Sequence, residues 1–242
     1  MQIENHLTEI GLTSSEAKIY ISLLRVGNAK AGKIIRDSGL HSSVVYNGIK
    51  RLLELGLIGH STNGKHRIFY ALDPHNLIDI VHEKEEAITR IVPELIALGS
   101  LDKQRGDIFV IDGVNGIKSI FYDILRKLKK GDEQAVMGTS ETGSELGGFI
   151  TNWDERRVKK GIRKRVLLPT AETKWLEFYS KRKLTETRIA DSLANVSLTV
   201  NIYKDSTAII MWGKFPVCIL IERKGITDNF RKYFEALWKS NA

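Results

Sequence analysis

Apolar residues recur along the chain first at helical and then at strand spacing, and each change of period marks a new element. Ala17, Tyr20, Ile21 and Leu24 share one face of a helix, because residues three and four apart stack on the same side. Ahead of them, Thr13-Ser14-Ser15-Glu16 has the form of a capping box, with a hydroxyl to hold the first amides and a carboxylate to reach back. Gly27-Asn28 stops this helix. A second helix is expected over about 31–38, with Ile34 and Ile35 turned inward and Gly39 as its C-terminal cap. A third is expected over about 42–55, with Val45, Ile49 and Leu52 on one face and Gly56 at its end. Leu57-Ile58, a polar turn at Asn63-Gly64, and Ile68-Phe69-Tyr70 then read as a β-hairpin.

From Pro74 the period is helical again. Leu77, Val81, Lys84, Ile88, Ile91, Leu95 and Leu98 follow the alternating four-three spacing of a coiled-coil seam. Lys84 interrupts the apolar stripe, and Pro93 is expected to kink this helix or begin a new one. A helix packed on its own domain suits so short a run equally well. Beyond a hinge near Gly99-Ser100 and Gly106, strand-like and helical stretches alternate. Strands are expected at 108–111, 135–137, 166–168, 196–202, 207–211 and 217–221. Helices are expected through Ile117 to Leu128, near 146–160, near 171–179, and through Phe230 to Trp238. Such alternation implies a mostly parallel sheet covered by helices, with an antiparallel meander near its end.

The fold class expected is therefore α+β. Residues 1–73 form a winged helix-turn-helix, 74–105 a helical linker, and 106–242 an α/β effector or regulatory domain. If the linker is a coiled coil, Leu77, Val81, Ile88, Ile91 and Leu95 make a homodimer seam. Composition adds little to this. Hydrophobic residues at 42 % and charged residues at 27 % are ordinary for a globular protein, and a formal charge of +8 favours polyanions without choosing among them. One cysteine, Cys218, excludes an intrachain disulfide and any multi-cysteine zinc site. The N-terminus lacks the order of a signal peptide, and no apolar run is long enough to span a bilayer, so a cytoplasmic protein away from membranes is expected.

An α-helix that enters the DNA major groove must be apolar behind and polar in front, since base edges there display a distinguishable donor and acceptor pattern. The third helix meets this requirement. Ser42 and Ser43 sit at its N-terminus, where hydroxyls and free amides suit phosphate, although Ser42 also suits a plain N-cap. Tyr46, Asn47, Lys50 and Arg51 take exposed or flanking positions, with Tyr46 also able to pack on the core. Asn47 matches adenine, and Lys50 or Arg51 matches guanine or phosphate. Lys65, His66 and Arg67 make the hairpin tip a basic wing. Charge alone would not single this region out: residues 1–73 hold nine Lys+Arg and six Asp+Glu, a net of +3. The order of the elements carries the expectation of double-stranded DNA as partner.

Gly39-Leu40-His41-Ser42-Ser43-Val44-Val45-Tyr46, continuing to Leu52 and Leu55-Gly56-Leu57-Ile58, resembles the recognition-helix segment of the TrmB family of transcriptional regulators. Gly11 to Tyr20 is similar to that family's first helix, and Phe230 to Trp238 to the aromatic helix that closes its effector domain. The resemblance implies sequence-specific DNA binding, a coiled-coil dimer and a C-terminal domain related to phospholipase D. The family often has a basic residue where Ser43 stands. Longer members carry a further sugar-binding region for which this chain is too short, so no maltose-type effector is expected.

Phospholipase-D-type catalysis needs histidine-lysine motifs, yet all six histidines (His6, His41, His60, His66, His75, His82) precede residue 106. Cys218 lies in an apolar strand, which suits a structural thiol. Asp154-Glu155 is an acid pair whose members point apart on a helix, with no defined partner. No enzyme, cofactor or metal is expected, and the C-terminal domain is expected to sense or scaffold. Two features there suit an anionic or sugar effector. Thr139, Ser140 and Thr142 lie in a strand-to-helix turn, which an ordinary capped turn explains as well. Residues 154–188 hold twelve Lys+Arg against five Asp+Glu, among them Arg156, Arg157, Lys159, Lys160, Arg163, Lys164 and Arg165. That run is either a solvated face, an extension of the DNA contact or an attractor for an anionic ligand. The alternatives are a winged-helix adaptor that binds protein and a phospholipase-D-like enzyme acting on nucleic acid.

Overall fold

The computed structural model describes residues 2–63, 66–100, 108–138, 144–169, 174–194 and 198–241. The chain divides into two compact units, Met1–Lys103 and Gln104–Ala242.

In the first unit, α1 (Gln2–Glu9), α2 (Ser14–Val26), α3 (Ala31–Ser38) and α4 (Ser42–Glu54) precede the hairpin β1 (Ile58–Asn63) and β2 (His66–Ala71), and α5 (Asn76–Ser100) follows. The capping box is formed as expected: the Glu16 amide donates to Thr13 Oγ1 at 3.2 Å, and the Thr13 amide donates to Glu16 Oε2 at 2.8 Å. Gly39 closes α3 in the left-handed region at φ 68°. Ala17, Ile19, Tyr20, Leu23, Ile34, Val45, Ile49, Leu52, Leu57 and Phe69 form one core. Helices α2 and α4 touch at Gly48, where an added Cβ would lie 2.4 Å from Ile19 Cδ1. Main-chain bonds in both directions between Ala29 and Phe69 tie the α2–α3 turn to the hairpin. The first helix, α1, is absent from the expectations above. Only Leu7 of its residues is buried, so it carries almost no apolar stripe, and bonds such as Ser14 Oγ donating to Glu4 Oε1 hold it on α2.

Helix α5 runs through Pro93, which does not begin a new helix. Its first turns pack on the unit's own core through Leu77 and Ile80. The break in the apolar stripe has a local cause, because Lys84 Nζ donates to the Ile10 carbonyl at 3.0 Å. Past that point Ile88, Ile91, Leu95 and Leu98 are exposed.

The second unit contains β3 (Ile108–Asp112), α6 (Gly113–Lys127), β4 (Glu133–Met137), α7 (Ser144–Lys159), β5 (Arg163–Leu168), α8 (Lys174–Ser180), β6 (Thr185–Ile189), β7 (Leu198–Tyr203), β8 (Ser206–Met211), β9 (Val217–Ile221) and α9 (Lys224–Ser240). They build a seven-stranded sheet in the order β3-β9-β8-β7-β4-β5-β6. The expected mostly parallel sheet is corrected. Only β4, β5 and β6 run parallel, and the four other pairings are antiparallel. The cause is the position of the β7–β8–β9 meander: it inserts between β3 and β4 rather than extending an edge. Strand β6, Thr-Glu-Thr-Arg-Ile, was also not expected, because an edge strand needs no apolar run. One face of the sheet packs on α6, α7 and α8 through residues such as Val136, Val166, Ile210 and Cys218. The other packs on α9, with Phe234 and Trp238 against Ala135, Met137, Leu167 and Ile202. Among the described residues no helix is long and apolar enough to cross a membrane.

Candidate nucleic-acid interface

Burial of Val45, Ile49 and Leu52 fixes the rotation of α4, and the polar residues between them turn outward. Ser42, Ser43, Tyr46, Asn47, Lys50 and Arg51 are all exposed. Tyr46 is 57 % exposed, so it does not pack into the core. Ser42 is the first residue of α4 and not its N-cap. His41 holds the cap position and makes no side-chain cap bond, which leaves the first amides of α4 open to an acceptor.

Helices α3 and α4 and strand β2 enclose a concave face of about 1140 Å³. Tyr46, Lys50 and Leu53 line it from α4, Lys30, Lys33 and Arg36 from the α3 side, and His66, Arg67 and Phe69 from the wing. Five cations (Lys30, Lys33, Arg36, Lys50, Arg67) thus border one surface whose lining contains no carboxylate. Three of them, Lys30, Lys33 and Arg36, were not among the residues expected to meet DNA. Their spacing of three residues on the solvent side of α3 was the available signal. Ser42, Ser43, Asn47 and Arg51 lie on α4 outside this lining, and Arg51 Nη1 is 3.3 Å from Glu54 Oε2. His66 and Arg67 are exposed on β2, while Lys65 falls outside the described residues.

Residues 7–75 match the family model described as sugar-specific transcriptional regulator TrmB. That match covers the winged helix, less than half of the chain. A curated relative is the HTH-type sugar sensing transcriptional regulator TrmBL1 of Pyrococcus furiosus, 24 % identical over 127 residues. That alignment covers 52 % of this chain and 30 % of the relative, so the chain matches less than a third of that protein's length. Among solved structures, TrmBL2, described as an archaeal chromatin protein that shows a novel mode of DNA binding, is 17 % identical. It aligns over 98 % of this chain and 97 % of its own at a TM-score of 0.39. A MarR family transcription regulator is 15 % identical, over 52 % of this chain and 83 % of its own, at 0.29.

Beyond the winged helix, Thr139, Ser140 and Thr142 lie outside the described residues. The preceding Gly138 is required by close packing: its φ is +69° and a Cβ would stand 2.4 Å from the Leu198 carbonyl oxygen. Asp154 does have partners, contrary to expectation. It is fully buried and accepts from Arg157 Nε at 2.8 Å and Nη2 at 3.2 Å, with Lys164 Nζ at 3.7 Å. Burial alone would raise its pKa, but Lys164, Arg157 and Arg182 outweigh that and hold the carboxyl below its usual range. Arg157 also donates to the Ile162 carbonyl at 2.7 Å and to Thr185 Oγ1 at 2.7 Å, which joins α7 to β6. Lys164 Nζ donates to Tyr179 Oη at 3.2 Å, and burial pulls its pKa down to about 8. Arg165 is paired with Glu133 and Glu235. Arg157, Lys164 and Arg165 of the basic run are therefore internal wiring, while Arg156, Lys159, Lys160 and Arg163 face solvent. Burial pushes the Cys218 thiol up to about 12, which keeps it protonated and unreactive at neutral pH.

Proposed function

We propose that this chain is a sequence-specific, DNA-binding transcriptional regulator of the TrmB type. The observation that carries this reading is the concave face of the winged helix, where five cations and an outward-facing α4 meet without a carboxylate in the lining. Lys30, Lys33, Arg36 and Arg67 suit phosphates on either side of a groove, and Asn47 with Lys50 suits base edges within it. Ser42 and Ser43, beside the open amides of α4, suit one further phosphate. The exposed apolar residues of α5, Val81, Ile88, Ile91 and Leu95, support pairing with a second copy, which would set two recognition helices on a pseudo-palindromic site. Leu77 is committed to its own domain's core and contributes less to such a seam. The second unit acts as a non-catalytic regulatory domain in the cytoplasm, with a small-molecule effector near residues 139–142 as its expected input.

Fluorescence anisotropy with duplex DNA across a salt series tests the reading. The variant carrying Lys33→Ala, Lys50→Ala and Arg67→Ala should bind every sequence more weakly. Its plot of log affinity against log salt should flatten by about 0.9 for each phosphate that is no longer neutralised. Asn47→Ala should instead relax preference at one base position, by about 1–3 kcal/mol of discrimination. Unchanged affinity in the first and unchanged preference in the second would defeat the reading.

A further inference from the structure

The turns that end α6 and α7 are far apart in sequence but adjacent in space. The Gly131 amide donates to the Gly161 carbonyl at 2.9 Å, and the Arg163 amide to the Asp132 carbonyl at 2.8 Å. The aliphatic stem of Lys130 lies over Gly161, and Lys160 Nζ donates to the Leu125 carbonyl. This junction gathers Arg126, Lys129 and Lys130 from the first turn with Arg156, Lys159, Lys160 and Arg163 from the second, all exposed. Between the two helices lies an open cleft of about 360 Å³, lined by Tyr122, Leu125, Arg126, Arg156 and Lys160. The Arg156 guanidinium stands 5.6 Å from the centre of the Tyr122 ring.

The carboxylates of the same turns are turned to other work. Asp123 accepts from Tyr203 Oη at 2.9 Å and Lys127 Nζ at 2.8 Å, with Arg126 3.5 Å away. Asp132 accepts from the Lys129 amide at 2.8 Å. Glu155 lies 3.6 Å from Arg182. Among the described residues, Lys129, Lys130, Lys159 and Arg163 have no carboxylate at ion-pair distance.

We infer that this junction is a second phosphate-binding surface and that its partner is the backbone of duplex DNA. A small anionic ligand would need an enclosed pocket with a few converging donors. Here the cations are spread over two exposed turns and four of them, Lys129, Lys130, Lys159 and Arg163, have no carboxylate partner among the described residues, which suits a long polyanion whose phosphates repeat along a surface. Such contacts carry no base preference. The inference deepens the DNA-binding reading above and rests on it for the identity of the polyanion.

The test uses the full chain, a fluorescent duplex of arbitrary sequence and a salt series from about 50 to 200 mM. One variant carries Lys129→Gln, Lys130→Gln, Lys159→Gln and Arg163→Gln, and the other the three alanine substitutions in the winged helix. The expected result for the first is a loss of about tenfold or more in affinity at low salt. Its salt slope should be shallower by roughly 3 to 4, one step of about 0.9 per phosphate released. If this variant matches the wild type while the winged-helix variant weakens, the second surface is refuted and the winged-helix reading stands. If it weakens while the winged-helix variant does not, the surface stands and the winged-helix reading fails. Calorimetry with inorganic phosphate supplies the last arm. Saturable phosphate binding that the glutamine variant loses, with unchanged duplex affinity, would make this a small-anion site and overturn the proposal.

Discussion

Arg51 on α4 and Arg157 on α7 each pair with a carboxylate three residues away on the same helix, yet the two pairs have little else in common. Arg51 and Glu54 meet in solvent with side chains 57 % and 49 % exposed. Arg157 and Asp154 are both fully buried. Water screens the first pair, so its guanidinium is available to an outside anion at little cost. The second pair sits in low dielectric, where the Ile162 and Leu184 carbonyls and Thr185 hold the arginine and Lys164 and Arg182 flank the aspartate. Its removal therefore disturbs the whole α7–β5–β6 corner. A count of basic residues treats the two alike. Their surroundings leave one open to solvent and make the other a part of the frame.

The comparison breaks most sharply at Asp154. Asp154→Ala leaves Arg157 and Lys164 buried without their counter-charge and should destabilise the second unit by about 3–5 kcal/mol. All four tryptophans, Trp153, Trp175, Trp212 and Trp238, lie in that unit. Urea titration followed by tryptophan fluorescence therefore reports its unfolding alone, and an unchanged midpoint would contradict the account of this corner.

A pH series sharpens the same point. Lys164 has a pKa lowered from the ordinary 10.5 to about 8 by burial, so between those values the unfolded chain binds the proton and the native chain does not. Stability contributed by this site therefore rises as pH climbs from about 8 towards 10.5. Subtracting the pH profile of Lys164→Met from that of the wild type should show that rise. The subtraction matters because Cys218, raised from 9.0 to about 12 by burial, works in the opposite direction over an overlapping range.

Smaller effects belong to the first unit. Thr13→Ala removes one half of the capping box and should cost about 1 kcal/mol, read by circular dichroism during thermal unfolding. Glu54→Ala should change stability by less than about 0.5 kcal/mol. It should also tighten duplex binding at low salt, since it frees Arg51 and removes a negative charge from α4. A large stability loss there would show that the surface pair is structural after all.

The first unit was largely legible from its residues, because its signals are local. The capping box, Gly39 and the period of Val45, Ile49 and Leu52 each act within a few residues, and each is found where the pattern put it. Helix α1 escaped because a helix held by a neighbour needs no stripe of its own. Lys84 looked like a flaw in a seam and is a bond to Ile10. In the second unit most strands and helices were legible as well, but their order in the sheet was not. Pairing β4 with β7 joins residues more than sixty positions apart, and nothing in either strand names the other.

Charge divides the same way. The sequence by itself determined that α4 has an apolar back and a polar front, that glycine must stand at the left-handed end of α3, and how many cations the chain carries. Only the tertiary structure decided which of those cations face water. Lys164 went inside with Arg157, Lys33 and Arg36 joined α4 across a concave face, and Lys130 came to lie against Gly161. Helical period and capping depend on neighbours along the chain, whereas burial and the field at a charge depend on neighbours in space.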